Sequence, residues 1–214
     1  MVGKEILLIS NNQIELEAEY FQPKNYTRNP VVLICHPHPQ YGGNMHNNVV
    51  SAVFNNLIRN DIPSLRFNFR AVGQSTGTFS NGEGELTDVK ACIDFLIKEK
   101  KHEKLVVCGY SYGAAIGCST INYSNKVVCY IAISFPWDFM DSKYKELSQS
   151  KKPKLFIQGN QDTIANFSNF QEHFNYYYEP KKYKIIDGAD HFYWGYENKI
   201  VNEILKFYKS LYFY

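Results

Sequence analysis

Ser111 lies in the pentapeptide Gly109-Tyr110-Ser111-Tyr112-Gly113, between the apolar run 105–108 and a small-residue run with Ala114, Ala115 and Gly117. A serine on a sharp strand-to-helix turn is held in a strained backbone conformation that lifts its hydroxyl above the sheet edge. Flanking glycines let strand and helix pass closely. The chemistry available to such a serine is nucleophilic attack on an acyl carbon. Its hydroxyl is a poor nucleophile without a base, and a histidine base needs a carboxylate to orient it. The chain offers both, in the order serine, acid, histidine. Asp162 follows the apolar run 154–158 in Gly159-Asn160-Gln161-Asp162, and His191 follows the run 183–186 in Asp187-Gly188-Ala189-Asp190-His191. Asp138, Asp187 and Asp190 are rival acids, Asp138 because it follows the strand before.

Attack on an acyl group also builds negative charge on its oxygen, which two fixed N–H donors must meet. One is the amide after the nucleophile, that of Tyr112. The other belongs to His36-Pro37-His38-Pro39-Gln40-Tyr41-Gly42-Gly43, at the end of the apolar run 31–35. Pro37 and Pro39 have no N–H and stiffen the loop, which leaves the His38 amide as a fixed donor. His36, His38 and nearby His46 also have the spacing of metal ligands. No carboxylate follows closely and the prolines favour a structural turn, so the residues are assigned no metal.

Positioning these groups needs strands that end in loops on one side. The runs 31–35, 64–69, 105–108, 127–134, 154–158 and 183–186 read as strands, the first fully apolar as a central parallel strand should be. Residues 6–9 and 14–19 read as a β-hairpin whose second strand alternates Ile14, Leu16 and Ala18 with Glu15, Glu17 and Glu19, the pattern of a sheet margin. Helical spacing predicts helices over 44–60, 85–100, 166–176 and 196–211, with an irregular or short helical segment over 136–149 and loops over 23–30 and 71–84. Alternating strands and helices call for an α/β sandwich around a mostly parallel sheet. Residues 1–214 read as one domain, without internal repeats or a linker.

Charged residues make up 21% and hydrophobic ones 44%, with a net charge of +2, an ordinary globular balance that gives no case for nucleic acid binding. No run approaches a membrane span, and the apolar stretch near the start is too short for a signal peptide. The five cysteines, Cys35, Cys92, Cys108, Cys118 and Cys129, fall in strand or helix candidates and read as buried thiols of a reducing, cytoplasmic compartment. The sequons at Asn25, Asn122 and Asn166 are then chance matches in an Asn-rich chain.

Taken together, these residues resemble the α/β-hydrolase superfamily, closest to its small lid-less serine hydrolases related to dienelactone hydrolases and prolyl-oligopeptidase catalytic domains. The resemblance runs over about 31–208. It rests on Gly-Tyr-Ser-Tyr-Gly, on the His-Pro-His-Pro-Gln-Tyr-Gly-Gly loop where relatives have a His-Gly oxyanion loop, and on Gly188-Ala189-Asp190-His191-Phe192, similar to the family's histidine loop. Residues 67–77, Phe-Asn-Phe-Arg-Ala-Val-Gly-Gln-Ser-Thr-Gly, resemble its Arg-Gly-x-Gly-x-Ser-x-Gly turn, with Ala71 in place of the usual glycine. Asn166 stands near where many relatives carry a proline. The resemblance implies a sheet of about eight strands with helices on both faces, Ser111 as nucleophile, Asp162 as acid, His191 as base, and Tyr112 and His38 as oxyanion donors. It implies hydrolysis of small ester-like substrates without cofactor or metal; thioesters, small peptides and a catalytically silent binding role are the alternatives. Arg70 reads as a structural ion pair with Glu85 or Asp88. The interval 135–153 is too short for a cap domain, and Phe135, Pro136, Trp137, Phe139 and Met140 are expected to wall a shallow site. Oligomeric state is not legible.

Overall fold

The apolar runs form one sheet. In the computed structural model, which describes residues 3–24 and 29–211, the strands are β1 (Gly3–Asn11), β2 (Ile14–Gln22), β3 (Val31–Cys35), β4 (Ser64–Phe67), β5 (Leu105–Tyr110), β6 (Val127–Ile133), β7 (Lys154–Gly159) and β8 (Lys181–Ile186). They lie in the order β1-β2-β4-β3-β5-β6-β7-β8. From β4 through β8 all neighbours are parallel, while β1 and β2 form an antiparallel margin. The hairpin joining β1 and β2 turns over Asn12-Gln13, and Asn12 takes the left-handed conformation (φ 56°) that asparagine tolerates. β3, β4, β5 and β7 are buried along their whole length, as strands covered on both faces must be.

Two helices, α1 (Asn48–Arg59) and α6 (Glu197–Ser210), cover one face with Val53, Phe54, Leu57, Ile200 and Ile204. The other face carries α2 (Glu83–Lys98), α3 (Tyr112–Cys118), α4 (Ser142–Leu147) and α5 (Phe170–Tyr176). Among the described residues no helix is long and apolar enough to cross a membrane. All five cysteines are buried and unpaired. Asn25 and its sequon, with part of the 23–30 loop, lie outside the described residues.

Several boundaries differ from the sequence reading, each for a local reason. α1 begins at Asn48 rather than at 44, because the Asn47 side chain accepts the N–H groups of Val49 and Val50. α2 begins two residues early, at Glu83. Glu85 reaches back to the N–H groups of Ser80 and Gly82, and Gly82 holds φ 98°. The predicted helix 166–176 splits into a 3-10 turn, Phe167–Asn169, and α5, since the Asn166 side chain accepts the Ser168 N–H. β4 stops at Phe67, and Asn68 and Phe69 leave the sheet toward Glu17 and His36. Between β6 and β7 the chain carries only α4, and no cap domain is present among the described residues. The expected wall of the site is a correction: Phe135 and Trp137 are buried in the core on the α4–α5 face, stacked on one another at 5.0 Å with Trp137 against Phe156, and Phe139 is 71% exposed.

Candidate active site

Ser111 stands where β5 ends and α3 begins, at φ 55° and ψ −122°, a conformation rare for any residue but glycine. Its flanking glycines are there for space. A Cβ on Gly109 would stand 2.2 Å from the Gly113 carbonyl oxygen, and one on Gly113 would stand 2.3 Å from the Cys35 carbonyl oxygen. The strand and helix therefore close on one another only without side chains, and the same closeness brings α3 against the end of β3.

The structure brings Ser111, His191 and Asp162 together across 80 and 29 residues of sequence. His191 Nε2 lies 2.9 Å from Ser111 Oγ, and His191 Nδ1 lies 2.9 Å from Asp162 Oδ2 and 3.0 Å from Oδ1. Ser111 and His191 are each 7% exposed and Asp162 2%. Asp162 sits on the loop after β7. Its Oδ1 accepts the N–H groups of Ile164 (3.0 Å) and Ala165 (2.8 Å), and its Oδ2 accepts the Ser134 hydroxyl (2.6 Å). Gln158 braces the loop by donating to the Ala165 carbonyl at 2.7 Å. His191 sits on the loop after β8, where Asp190 accepts the N–H groups of Phe192 and Tyr193. Such an arrangement can take a proton from the serine onto the imidazole while the carboxylate holds the ring's orientation.

The rival acids lie elsewhere. Asp138 is exposed and accepts from His173 and Asn169; Asp187 accepts from Asn160; Asp190 caps its own turn.

On the other side of Ser111, the Tyr112 amide is the first N–H of α3, which no helix carbonyl can satisfy. The His38 amide precedes a 3-10 turn, Pro39–Tyr41. Among the described residues neither amide donates to a protein acceptor. The loop doubles back on itself: Tyr41 and Gly43 both donate to the His38 carbonyl, and a Cβ on Gly43 would stand 2.1 Å from the Pro37 carbonyl oxygen. The His38 ring packs on Tyr112 at 4.6 Å, Tyr41 at 4.7 Å and Phe79 at 5.3 Å. Burial holds its pKa below the usual imidazole value, against the pull of Glu85.

His36 is fully buried with both ring nitrogens committed. Nε2 accepts the Phe69 N–H at 3.0 Å, so Nδ1 carries the proton and donates to the Pro37 carbonyl at 2.6 Å. Burial pushes its pKa down to about 3. It therefore ties the ends of β3 and β4 together, with no lone pair left for a metal. Arg70 pairs with Asp88, through Nη2 at 2.7 Å and Nε at 3.0 Å, while Glu85 caps α2.

Four side chains around the site have no counterpart in the sequence reading. The Tyr110 hydroxyl donates to the His191 carbonyl at 2.5 Å, and the Tyr112 ring packs on His38, so the two residues beside Ser111 each brace a different partner loop. Ser134 and Tyr193 stand behind Asp162. The signal for the tyrosines was two large aromatics in the variable positions of the pentapeptide; Ser134 and Tyr193 had none in spacing.

Residues 29–199 match the family described as alpha/beta hydrolase domain. An uncharacterized protein of Rickettsia prowazekii is 35% identical over 176 residues, covering 77% of this chain and 72% of that one. Among solved structures, an α/β serine hydrolase homologue from Coxiella burnetii is similar with a TM-score of 0.86 and 30% identity, over 96% of this chain and 97% of that one. A lid-less α/β serine hydrolase from Xanthomonas campestris shares the fold at a TM-score of 0.80 and 24% identity, over 93% and 90% of the two chains. With its sheet order, its serine turn and these similarities, the chain belongs to the α/β-hydrolase domain family.

Proposed function

We propose that this hydrolase cleaves carboxylic esters through an acyl-Ser111 intermediate. The observation that carries the reading is the unbroken line Ser111 Oγ, His191 Nε2, His191 Nδ1 and Asp162, each link at 2.9 Å. Ser111 Oγ attacks the acyl carbon and its proton passes to His191 Nε2. Asp162 holds the ring with Nδ1 facing it and Nε2 facing the serine, and stabilises the imidazolium. The amides of Tyr112 and His38 receive the charge on the acyl oxygen. His191 then protonates the leaving alkoxide, and the C–O bond breaks. Water attacks the acyl-serine, His191 takes its proton, and collapse returns the proton to Ser111 with release of the acid.

The same reading takes residues 1–214 as one domain working in a cytoplasmic compartment, supported by the single sheet and by five buried, unpaired thiols. The short segment between β6 and β7 supports a site open to solvent and a preference for short acyl groups. Methylenes that stay in water gain nothing of the roughly 25 cal/mol per Å² that burial provides. A p-nitrophenyl ester series from acetate to palmitate, kept below aggregation, tests this, with thioester and anilide analogues run in parallel. The expected result is kcat/KM highest at short chains and highest for the ester. A value rising steadily beyond octanoate contradicts the open site, and a thioester or anilide favoured over the ester contradicts the substrate class.

A further inference from the structure

We propose that Tyr193 and Ser134 form a hydroxyl relay that positions Asp162, making both of them positioning residues for the reaction; the inference rests on the roles proposed above for Ser111, His191 and Asp162. Ser134 is the residue after β6, and its Oγ lies 2.6 Å from Asp162 Oδ2 and 2.7 Å from the Tyr193 hydroxyl. A serine hydroxyl has one proton. The carboxylate can only accept, so that proton is committed to Asp162. The second contact must then run from the Tyr193 O–H to Ser134 Oγ, which polarises the Ser134 O–H toward the carboxylate. Both residues are fully buried, so water does not replace either link.

The backbone points the same way. Ser134 has φ 46° and Tyr193 has φ 57°. Glycine takes this left-handed region without strain, whereas a side chain there costs free energy, most of all a bulky one. Each residue is locked in place nonetheless: the Ser134 N–H donates to the Ile157 carbonyl of β7, and the Tyr193 N–H to Asp190. What the strained positions provide is two hydroxyls lined up beneath the acid. Among the described residues Asp162 Oδ1 already has two backbone donors, but Oδ2 has only Ser134 besides His191. With Ser134 in place the carboxylate plane is fixed at both oxygens, and both face His191 Nδ1. Tyr193 comes from the loop that carries His191, so one loop delivers the base and braces its acid.

The test uses Tyr193→Phe, Ser134→Gly and the double variant in the full chain. Three readouts are taken: kcat and KM on a short-chain p-nitrophenyl ester, the rate of fluorophosphonate labelling, and the low-field proton resonance of His191 Nδ1–H. The relay predicts a kcat loss of about 10- to 100-fold for Ser134→Gly and about 3- to 10-fold for Tyr193→Phe, with KM within about twofold. The resonance should shift in both. Because Tyr193 acts through Ser134, the double variant should be no slower than Ser134→Gly alone. Tyr193→Phe keeps its ring packing and decides the matter even where Ser134→Gly does not fold. An unchanged resonance and rates within about twofold in folded Tyr193→Phe overturn the relay. So does a double variant whose loss is the product of the single losses. A wild-type chain inert to esters and to fluorophosphonate would instead remove the proposed hydrolysis, while the resonance comparison still judges the relay.

Discussion

The two sides of Ser111 are built differently. On the acid–base side, Asp162 is buried and held by Ser134, Ile164, Ala165 and His191, and the His191 backbone is tied down by Tyr110. On the proposed oxyanion side, His38 is half-buried, Tyr41 beside it is 87% exposed, and the His38 and Tyr112 amides have no protein acceptor among the described residues. The difference follows from what each side would handle in the proposed reaction. A proton shuttles between fixed partners, so the groups that move it gain from being dry and fully hydrogen-bonded. An oxyanion arrives with the substrate, so its donors must stay unpaired and reachable until then. Rigidity on this side comes from ring packing and prolines rather than from hydrogen bonds to the donors themselves.

The comparison can be broken first at the acid. Asp162→Asn should lower kcat by about 10⁴-fold with little change in Tm, because the amide favours the wrong imidazole tautomer. Asp138→Asn, at a side chain that accepts from His173 and Asn169 away from Ser111, should leave steady-state kinetics near wild type. A damaging Asp138→Asn with a mild Asp162→Asn would move the acid to the end of β6.

The oxyanion side should give a smaller loss. His38 has φ −55°, a value proline adopts, so His38→Pro removes the amide hydrogen with the local backbone path kept. It is expected to reduce kcat by about 10²- to 10³-fold, and His38→Ala, which keeps the N–H, by much less. Equal losses in the two variants would mean that the ring, not the amide, matters.

The smallest effect concerns pH and falls at the base of the same loop. His36 is neutral in the fold, with its pKa pushed down to about 3 by burial, and burial with Lys100 nearby lowers His102 to about 4. The unfolded chain takes up these protons near pH 6.5, the folded chain only far below it. Stability is therefore full above pH 6.5 and is lost as the pH falls toward 4 and 3. Protonation of His36 alone should lower Tm by roughly 5–10 °C between pH 7 and pH 4.5. His36→Gln, which keeps an acceptor for the Phe69 N–H, should make that slope shallower in scanning calorimetry; an unaltered slope would place the acid sensitivity elsewhere.

How much of this was legible in the sequence follows the same division. Ser111 could be read because its turn depends on local sterics: Gly109 and Gly113 are needed within five residues, and that leaves a pattern. Asp162 and His191 could be read because strands of a parallel sheet end on one side, so residues just past them converge. Ser134 and Tyr193 could not, since they meet Asp162 across 28 residues in one case and meet each other across 59 in the other, and no local pattern encodes such contacts. Phe135 and Trp137 misled because an apolar residue near a catalytic loop and one under it have the same composition; only their stacking on one another and the packing of Trp137 against Phe156 separate the two. Helix starts shifted where Asn47 captured the first N–H groups of α1 and where Glu85 reached back to the N–H groups just ahead of α2.

If His191 and Asp162 make Ser111 a nucleophile, covalent labelling reveals it most directly. The protein is treated with a fluorophosphonate, its intact mass is measured, and the modified peptide is mapped. One adduct per chain is expected, on Ser111, absent from Ser111→Ala and strongly slowed in Asp162→Asn. No adduct on the folded wild-type protein, or an adduct that persists on another residue in Ser111→Ala, would contradict it.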